Sequence, residues 1–221
     1  MQIKQRLINL KSTLPPNVTL VAVSKLHPVE VLQEAYDAGQ RIFGENRVQE
    51  IVNKYPFLPS DIQWHFVGTL QTNKVKHIAP FIDTIQSIDS LKLLREVNRQ
   101  AAKCNRQIRV FLEIHIAEEM TKHGFDATEC LNLFLESKLD AFQHVTVSGL
   151  MGMATFTDDT EQIQHEFQNL KELFDAIKQS GKASDSFTEL SIGMSDDYLI
   201  AIRNGSTMIR VGTLIFGQRD Y

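Results

Sequence analysis

Apolar positions along the chain fall into short continuous runs and longer stripes of helical period. The short runs are rich in β-branched and aromatic residues, and they predict eight strands over 18–25, 41–44, 64–68, 83–88, 108–116, 144–152, 188–194 and 207–216. Between them lie segments with an apolar side chain every three or four residues, as on one face of an α-helix. Strands that alternate with helices predict a parallel sheet with right-handed crossovers.

The clearest helical segment covers 158–180, where one apolar stripe runs from Ile163 to Ile177. Asp158, with Glu161 three residues later, predicts a capping box, and Gly181 predicts the C-terminal stop. Further helices are predicted over 1–11, 28–38 and 125–139.

Eight strands favour one closed (β/α)8 TIM barrel with a short N-terminal helix over an open doubly wound sheet. An open sheet would normally carry a glycine-rich fingerprint after its first strand, and residues 24–28 contain no glycine. We find no linker or low-complexity segment, so the sequence predicts a single domain over 1–221.

Lys25 is the last residue of the first predicted strand. Ligands bind at the carboxyl edge of the sheet in parallel α/β folds, so this side chain is predicted to lie where a ligand would bind. Partial burial disfavours an ammonium ion, which makes such an amine a usable nucleophile toward a carbonyl carbon. A lysine that merely extends to the surface past a strand explains this stretch slightly better by itself.

The ends of strands seven and eight are the expected phosphate site of such a barrel. Ser195 is predicted at the N-terminus of the following helix, where it could receive an anion, although an ordinary serine cap explains it equally well. Alternation along strand eight places Arg210 inside the barrel, where it needs a carboxylate, a carbonyl or a ligand acceptor. Gly212 would leave the backbone open to a phosphate, and Thr213 would offer a hydrogen-bond donor. A structural pair of Arg210 with a carboxylate, and a kink at Gly212, would explain the same residues equally well. With Lys25, these residues suit a phosphorylated carbonyl compound held as a Schiff base.

Several longer motifs extend this pattern over most of the chain: Val21–Lys25, Phe43–Glu50, Trp64–Lys74, Lys122–Phe125, Gly149–Met151 and Leu190–Arg219. Through them, from about Val18 to the C-terminus, the chain resembles the pyridoxal phosphate homeostasis proteins, which are related to the barrel domain of alanine racemase. Three features depart from the pattern of that family: a short N-terminal helix with few residues before the first strand, residues 86–89, where a histidine usually precedes the serine, and residues 114–119.

The resemblance implies a binding protein for pyridoxal 5'-phosphate that acts in the homeostasis of this vitamin B6 cofactor, with pyridoxal-phosphate-dependent apo-enzymes as candidate partners. It implies that the cofactor forms a Schiff base with Lys25, that its phosphate is held by Met194, Ser195, Gly212 and Thr213, that its pyridine nitrogen faces Arg210, and that Asn46 lies near it.

We expect a carrier without turnover rather than an enzyme. Racemisation needs proton donors on both faces of the cofactor, and in the racemases, as the resemblance implies, one of them is a tyrosine from a second β domain. The chain ends at Tyr221, soon after strand eight, which predicts a barrel without that domain. An arginine opposite the pyridine nitrogen also weakens the ring as an electron sink. A racemase of restricted specificity and a cofactor-free Schiff-base aldolase that uses Lys25 remain alternatives.

Composition limits which classes of molecule the protein can bind and where in the cell we expect it. The net charge is −4 and no basic stripe is present, which argues against binding to nucleic acid. We find neither a signal peptide nor an apolar run of membrane-spanning length, so we expect a cytoplasmic protein, with a mild preference for a monomer.

The remaining candidate residues carry weaker signals. Cys104 and Cys130 are predicted to be small core residues. His165 begins like a zinc-protease motif, but Asn169 stands where the second histidine would be, so we predict no metal site. His123 is a weak candidate for a contact at the rim of the barrel.

Overall fold

Residues 2–117 and 123–218 are described by the computed structural model. Eight parallel strands close a barrel in sequence order, and the eighth strand pairs with the first. The strands are β1 (Thr19–Val23), β2 (Ile42–Glu45), β3 (Gln63–Phe66), β4 (Thr84–Ile88), β5 (Ile108–Glu113), β6 (Val145–Met151), β7 (Glu189–Ser191) and β8 (Met208–Val211). Each of them overlaps a predicted strand, and the prediction of a closed (β/α)8 barrel is confirmed.

Helices surround this barrel: α1 (Gln2–Thr13), α2 (Val29–Asp37), α3 (Val48–Lys54), α4 (Val75–Ile78), α5 (Leu91–Lys103), α6 (Ala127–Leu135), α7 (Thr160–Gln179), α8 (Tyr198–Arg203) and α9 (Thr213–Phe216). Within the described ranges, none of these helices combines the length and the apolar character needed to cross a membrane.

The core has two layers because strand side chains alternate between the two faces of the sheet. Outward-facing strand side chains such as Ile209 and Val211 are fully buried against the helices in one large cluster. A smaller cluster of Val21, Phe111 and Met208 lies with Met151 inside the barrel. The interior is therefore filled with side chains, so a ligand would bind at an end of the barrel rather than inside it.

The long helix α7 shows a shift of one residue at its start. Asp159, rather than the predicted Asp158, is the cap, and its carboxylate accepts hydrogen bonds from the N–H groups of Glu161 and Gln162. Asp158 and Asp159 are equally suitable as a cap by residue type, and the backbone position at which the helix starts determines which of them takes that role. The predicted stop is confirmed, since Gly181 follows the helix with a φ of +66°.

The predicted ends of six strands (β1, β3, β5, β6, β7 and β8) lie too far along the chain, and those of β1 and β8 matter most for the site. β1 ends at Val23, so Lys25 lies in the turn that follows the strand. β8 ends at Val211 rather than at 216, because Gly212 leaves the extended conformation with φ −117° and ψ −70°. The apolar run beyond it forms α9, where Phe216 donates its N–H to the carbonyl of Gly212 at 2.9 Å.

Candidate binding site at the carboxyl end of the barrel

A cavity of about 710 Å³ opens at the carboxyl ends of the strands. It is lined by every residue that the sequence nominated for cofactor binding: Lys25, Asn46, Met194, Ser195, Arg210, Gly212 and Thr213. These residues come from the loops after β1, β2, β7 and β8, from β8 itself and from the start of α9, so only the closed barrel brings them together.

Lys25 occupies a corner of a tight turn. The N–H of His27 donates to the carbonyl of Ser24 at 3.1 Å, which closes a four-residue turn with Lys25 in its second position. Leu26, in the third position, has a φ of +66°. The Lys25 side chain is half-buried and forms part of the cavity wall.

Arg210 forms the floor of the cavity, and its predicted inward orientation is confirmed. It is 5% exposed and donates to the carbonyl and hydroxyl oxygens of Ser191 at 2.7 and 2.8 Å, and to the carbonyl of Gly152 at 2.9 Å. Burial lowers the pKa of Arg210 to about 10, so the guanidinium stays charged at neutral pH. The acceptors that a buried arginine requires are therefore supplied by the protein.

A chain of hydrogen bonds continues from Arg210 into the barrel. Ser191 donates its hydroxyl to Gln86 Oε1 at 2.7 Å, and Gln86 Nε2 lies 2.8 Å from Nδ1 of His65. Because the amide nitrogen is the donor, the imidazole accepts at Nδ1 and is neutral. Burial lowers the pKa of His65 to about 3, which agrees with a packing role for this histidine. Gln86, in a segment that departs from the family pattern, thus serves the interior of the barrel.

Ser195 and Gly212 approach each other across the cavity from the loops after β7 and β8. The Gly212 N–H donates to the Ser195 hydroxyl oxygen at 3.4 Å. Ser195 was predicted at a helix N-terminus, but α8 begins only at Tyr198, and Ser195 lies in the preceding turn. Sterics also require the glycine, since a Cβ at Gly212 would lie 2.9 Å from the carbonyl oxygen of Val23 on β1; its predicted role toward a phosphate stays a prediction.

Glu113, at the end of β5, lines the cavity but was not predicted from the sequence. It is 6% exposed, and burial, followed by the charge of Asp89, raises its pKa to about 7, although Arg210 acts in the opposite direction. Its inward register at a strand end could have identified it. The other missed lining residues are Val23, Arg47, Val67, Gly68, Thr69, Met153, Phe156 and Asp196.

Other predicted residues lie away from this cavity. His123 is exposed and is not among the lining residues. Lys122 of the same motif, Glu118 and Glu119 of the atypical segment, and Arg219 at the end of the last motif lie outside the described residues. Cys130 is buried and Cys104 packs against the core, as predicted. In the ranges 2–117 and 123–218, no cluster of three or more metal-ligating side chains is found.

Comparisons with known proteins agree on one family. The model of the alanine racemase N-terminal domain matches residues 1–220. The pyridoxal phosphate homeostasis protein of Pasteurella multocida (strain Pm70) is 40% identical over 207 residues, which cover 92% of this chain and 88% of that protein. The protein of the same name from Escherichia coli (strain K12) is 35% identical over 94% of this chain and 88% of its own length.

Solved structures give the same result. PipY of Synechococcus elongatus PCC7942 with pyridoxal phosphate bound is 38% identical, with a TM-score of 0.87 and coverage of 98% of this chain and 100% of PipY. The structure of PipY without the cofactor superposes with a TM-score of 0.92. An alanine racemase from Clostridium difficile 630 has a TM-score of 0.82 at 16% identity, with 57% of its chain covered, and this likeness shows the fold alone.

Proposed function

The chain belongs to the pyridoxal phosphate homeostasis proteins, within the alanine racemase N-terminal domain family, and on this premise we propose that it holds pyridoxal 5'-phosphate on Lys25 without turnover. The observation that carries the proposal is the convergence of all seven nominated residues on one cavity. Lys25 would supply the nitrogen for an imine bond to the aldehyde carbon of the cofactor, and one water molecule would leave.

The side chains of the cavity fit this cofactor. Asn46 Oδ1 is buried, lies at the cavity wall and has no hydrogen-bond partner in the protein, so it can accept a hydrogen bond from a ligand. Ser195 and Thr213 offer hydroxyl groups for the phosphate, and the exposed side chain of Met194 lies beside them in the cavity wall. One cavity thus offers an amine for the aldehyde and hydrogen-bonding groups for the phosphate.

Arg210 favours a protein that holds the cofactor over an enzyme that uses it for catalysis. Its guanidinium is fixed by three hydrogen bonds to Ser191 and Gly152 and remains charged at neutral pH. A fixed cation facing the pyridine nitrogen disfavours protonation of that nitrogen. The ring then withdraws electrons weakly, which would leave a carbanion at a bound substrate poorly stabilised.

The first experiment is a visible absorption spectrum of the protein mixed with pyridoxal phosphate, followed by borohydride reduction and peptide mapping. We expect a yellow band that disappears on reduction, with the phosphopyridoxyl mass on the peptide that contains Lys25. Equilibration with a panel of amino acids should give no turnover. The absence of a band, or a label spread over surface lysines, would refute the proposal and favour the aldolase or a structural role.

The proposal also covers transfer of the cofactor to other proteins, the location of the protein in the cell and its oligomeric state. We infer that the protein passes the cofactor to pyridoxal-phosphate-dependent apo-enzymes. The aldehyde of unbound cofactor would react with the amines of other molecules, which binding prevents. A cytoplasmic location and a monomeric state remain predictions from the sequence. Ultracentrifugation with and without the cofactor tests the second of these.

Glu113 favours one alternative, a racemase of restricted specificity. A carboxyl group with a pKa of about 7 in the same cavity as Lys25 has the properties of a general acid or base. If this alternative holds, deuterium from the solvent will enter the α position of an amino acid, and Glu113→Gln and Lys25→Ala will each abolish the exchange. If Glu113→Gln leaves such an exchange unchanged, Glu113 is not the second proton donor.

A further inference from the structure

The turn that presents Lys25 is held in an unfavourable backbone conformation. Leu26 has a φ of +66°, in the left-handed region that glycine or asparagine normally occupies at the third position of such a turn. A bulky residue stays in this region only when its surroundings hold it there. The direction of the Lys25 side chain therefore depends on what holds Ser24 and Leu26, the residues on either side of it.

Both neighbours of Lys25 are held by charged side chains of β2 and α3. Leu26 donates its N–H to Glu50 Oε2 at 2.7 Å. Ser24 accepts a hydrogen bond from Lys54 Nζ on its carbonyl oxygen at 3.0 Å and donates its hydroxyl to Glu45 Oε1 at 2.7 Å. The two ends of the turn are thus joined to one set of side chains.

These three charged residues, Glu45, Glu50 and Lys54, form one buried network. Lys54 Nζ lies 2.8 Å from Glu45 Oε1 and 3.3 Å from Glu50 Oε2. The Glu45 side chain is 0% exposed, that of Lys54 8% and that of Glu50 19%. Burial raises the pKa of Glu45. Burial also acts to raise the pKa of Glu50, but the hydrogen bond from the Leu26 N–H and the charge of Lys54 outweigh it, so the pKa of Glu50 is lowered.

Such a network is a poor way to stabilise a fold by itself. The cost of removing charges from water often exceeds their attraction, and well-packed apolar residues of similar volume frequently serve as well. Its hydrogen bonds to the turn give it a second purpose. Glu50 and Lys54, one helical turn apart on α3, point at the Leu26 N–H and the Ser24 carbonyl, which an apolar pair would leave without these partners.

We propose that Glu50 and Lys54 are positioning residues for Lys25, which hold the strained turn so that the amine is presented to the cavity. This inference rests on the proposed function, because the advantage of a fixed amine is faster and tighter capture of the aldehyde. Neither residue lines the cavity, so both act through the turn and not on the ligand.

The test compares Lys54→Met and Glu50→Met with the wild type and with Leu133→Ala. Leu133 is a buried residue of α6, so this control lowers stability by opening a cavity while leaving the turn intact. We would measure the rate at which borohydride traps pyridoxal phosphate on the Lys25 peptide, and the free energy of unfolding in urea. A small displacement of a reacting group costs up to about 100-fold in rate, so we expect a decrease of roughly 10- to 100-fold in both variants.

A second readout uses the protein without cofactor. The rate at which trinitrobenzenesulfonate modifies Lys25 should change in Lys54→Met and in Glu50→Met and stay unchanged in Leu133→Ala. Adding Leu26→Gly to Glu50→Met should restore part of the trapping rate, because glycine adopts the left-handed conformation without support. A residue that only stabilises the fold would not be rescued in this way.

The outcomes separate this inference from the proposed function. If the wild type takes no label on Lys25, the proposed function fails. If the wild type is labelled and both methionine variants trap within twofold of it, Glu50 and Lys54 do not position Lys25. Equal losses in Leu133→Ala and in the methionine variants, at equal stability, would also overturn the inference, as would the absence of any recovery with glycine at position 26. Should Lys54→Met fail to fold, the less buried Glu50 still provides the test.

Discussion

Lys25→Ala is expected to abolish covalent capture of pyridoxal phosphate while leaving the barrel intact. The side chain is half-buried in a turn beyond the end of β1, so its removal takes little from the core. The rest of the cavity, from Asn46 to the floor at Arg210, is unchanged and should still bind the cofactor noncovalently. We expect the yellow band to disappear and the dissociation constant to rise about 100-fold or more, equivalent to roughly 3 kcal/mol, because the tethered amine no longer acts at high effective concentration.

Titration monitored by fluorescence, together with borohydride labelling, measures this effect. Lys103→Ala is a suitable control, since Lys103 is an exposed lysine at the end of α5, away from the cavity. A Lys25→Ala protein that retains the band and takes the label on another lysine would show that Lys25 is not the anchor. A dissociation constant within threefold of the wild type would show that the imine bond contributes little to binding.

Glu113→Gln is expected to change how stability depends on pH. Burial, the charge of Asp89 and the opposing charge of Arg210 together give Glu113 a pKa of about 7 in the folded protein, against an ordinary value of 4.5. Between pH 4.5 and about 7 the folded state keeps a proton that the unfolded state has lost, so this group lowers stability as the pH rises. The shift of about 2.5 units corresponds to a penalty of about 3 kcal/mol, present in full above pH 7.

Glutamine carries no titrating proton, so the variant avoids this penalty. We expect Glu113→Gln to gain about 2.5 kcal/mol relative to the wild type on going from pH 5 to pH 8, because part of the penalty is already present at pH 5; urea unfolding at both values measures this gain. Other titrating groups, such as His65 with its pKa of about 3, contribute equally to both proteins and cancel in the comparison. Glu172→Gln, on an exposed part of α7, should show no such gain. A gain below 1 kcal/mol for Glu113→Gln would mean that Glu113 ionises normally.

Much of the barrel could be predicted from local pattern. Eight apolar runs separated by helical stripes suffice for the fold class, because each strand of a parallel barrel is buried on both faces. Alternation along β8 was enough to place Arg210 inside, since successive side chains point to opposite faces. The cofactor itself came from the resemblance to a family, because an amine, an arginine and a glycine at a barrel edge fit several phosphorylated carbonyl compounds.

The positions at which the strands end could not be predicted from the local hydrophobic pattern. The apolar run after Val211 looks like a continued strand, yet it forms α9. Gly212 is confined by the carbonyl of Val23 on the neighbouring β1, a contact between residues almost two hundred positions apart. Backbone neighbours across the closed sheet, rather than the hydrophobic pattern, decide where such a strand stops.

The sequence by itself determined that this chain forms a (β/α)8 barrel, and that Lys25, Ser195, Arg210 and Gly212 belong at one end of it. Periodicity and the direction of parallel strands are sufficient for both conclusions. Only the tertiary structure decided the surroundings of these groups. The raised pKa of Glu113, the hydrogen bonds between Arg210, Ser191 and Gln86, and the network beneath Lys25 depend on burial and on contacts between distant segments. Desolvation and hydrogen-bond geometry are properties of the packed protein, so no local pattern could have revealed them.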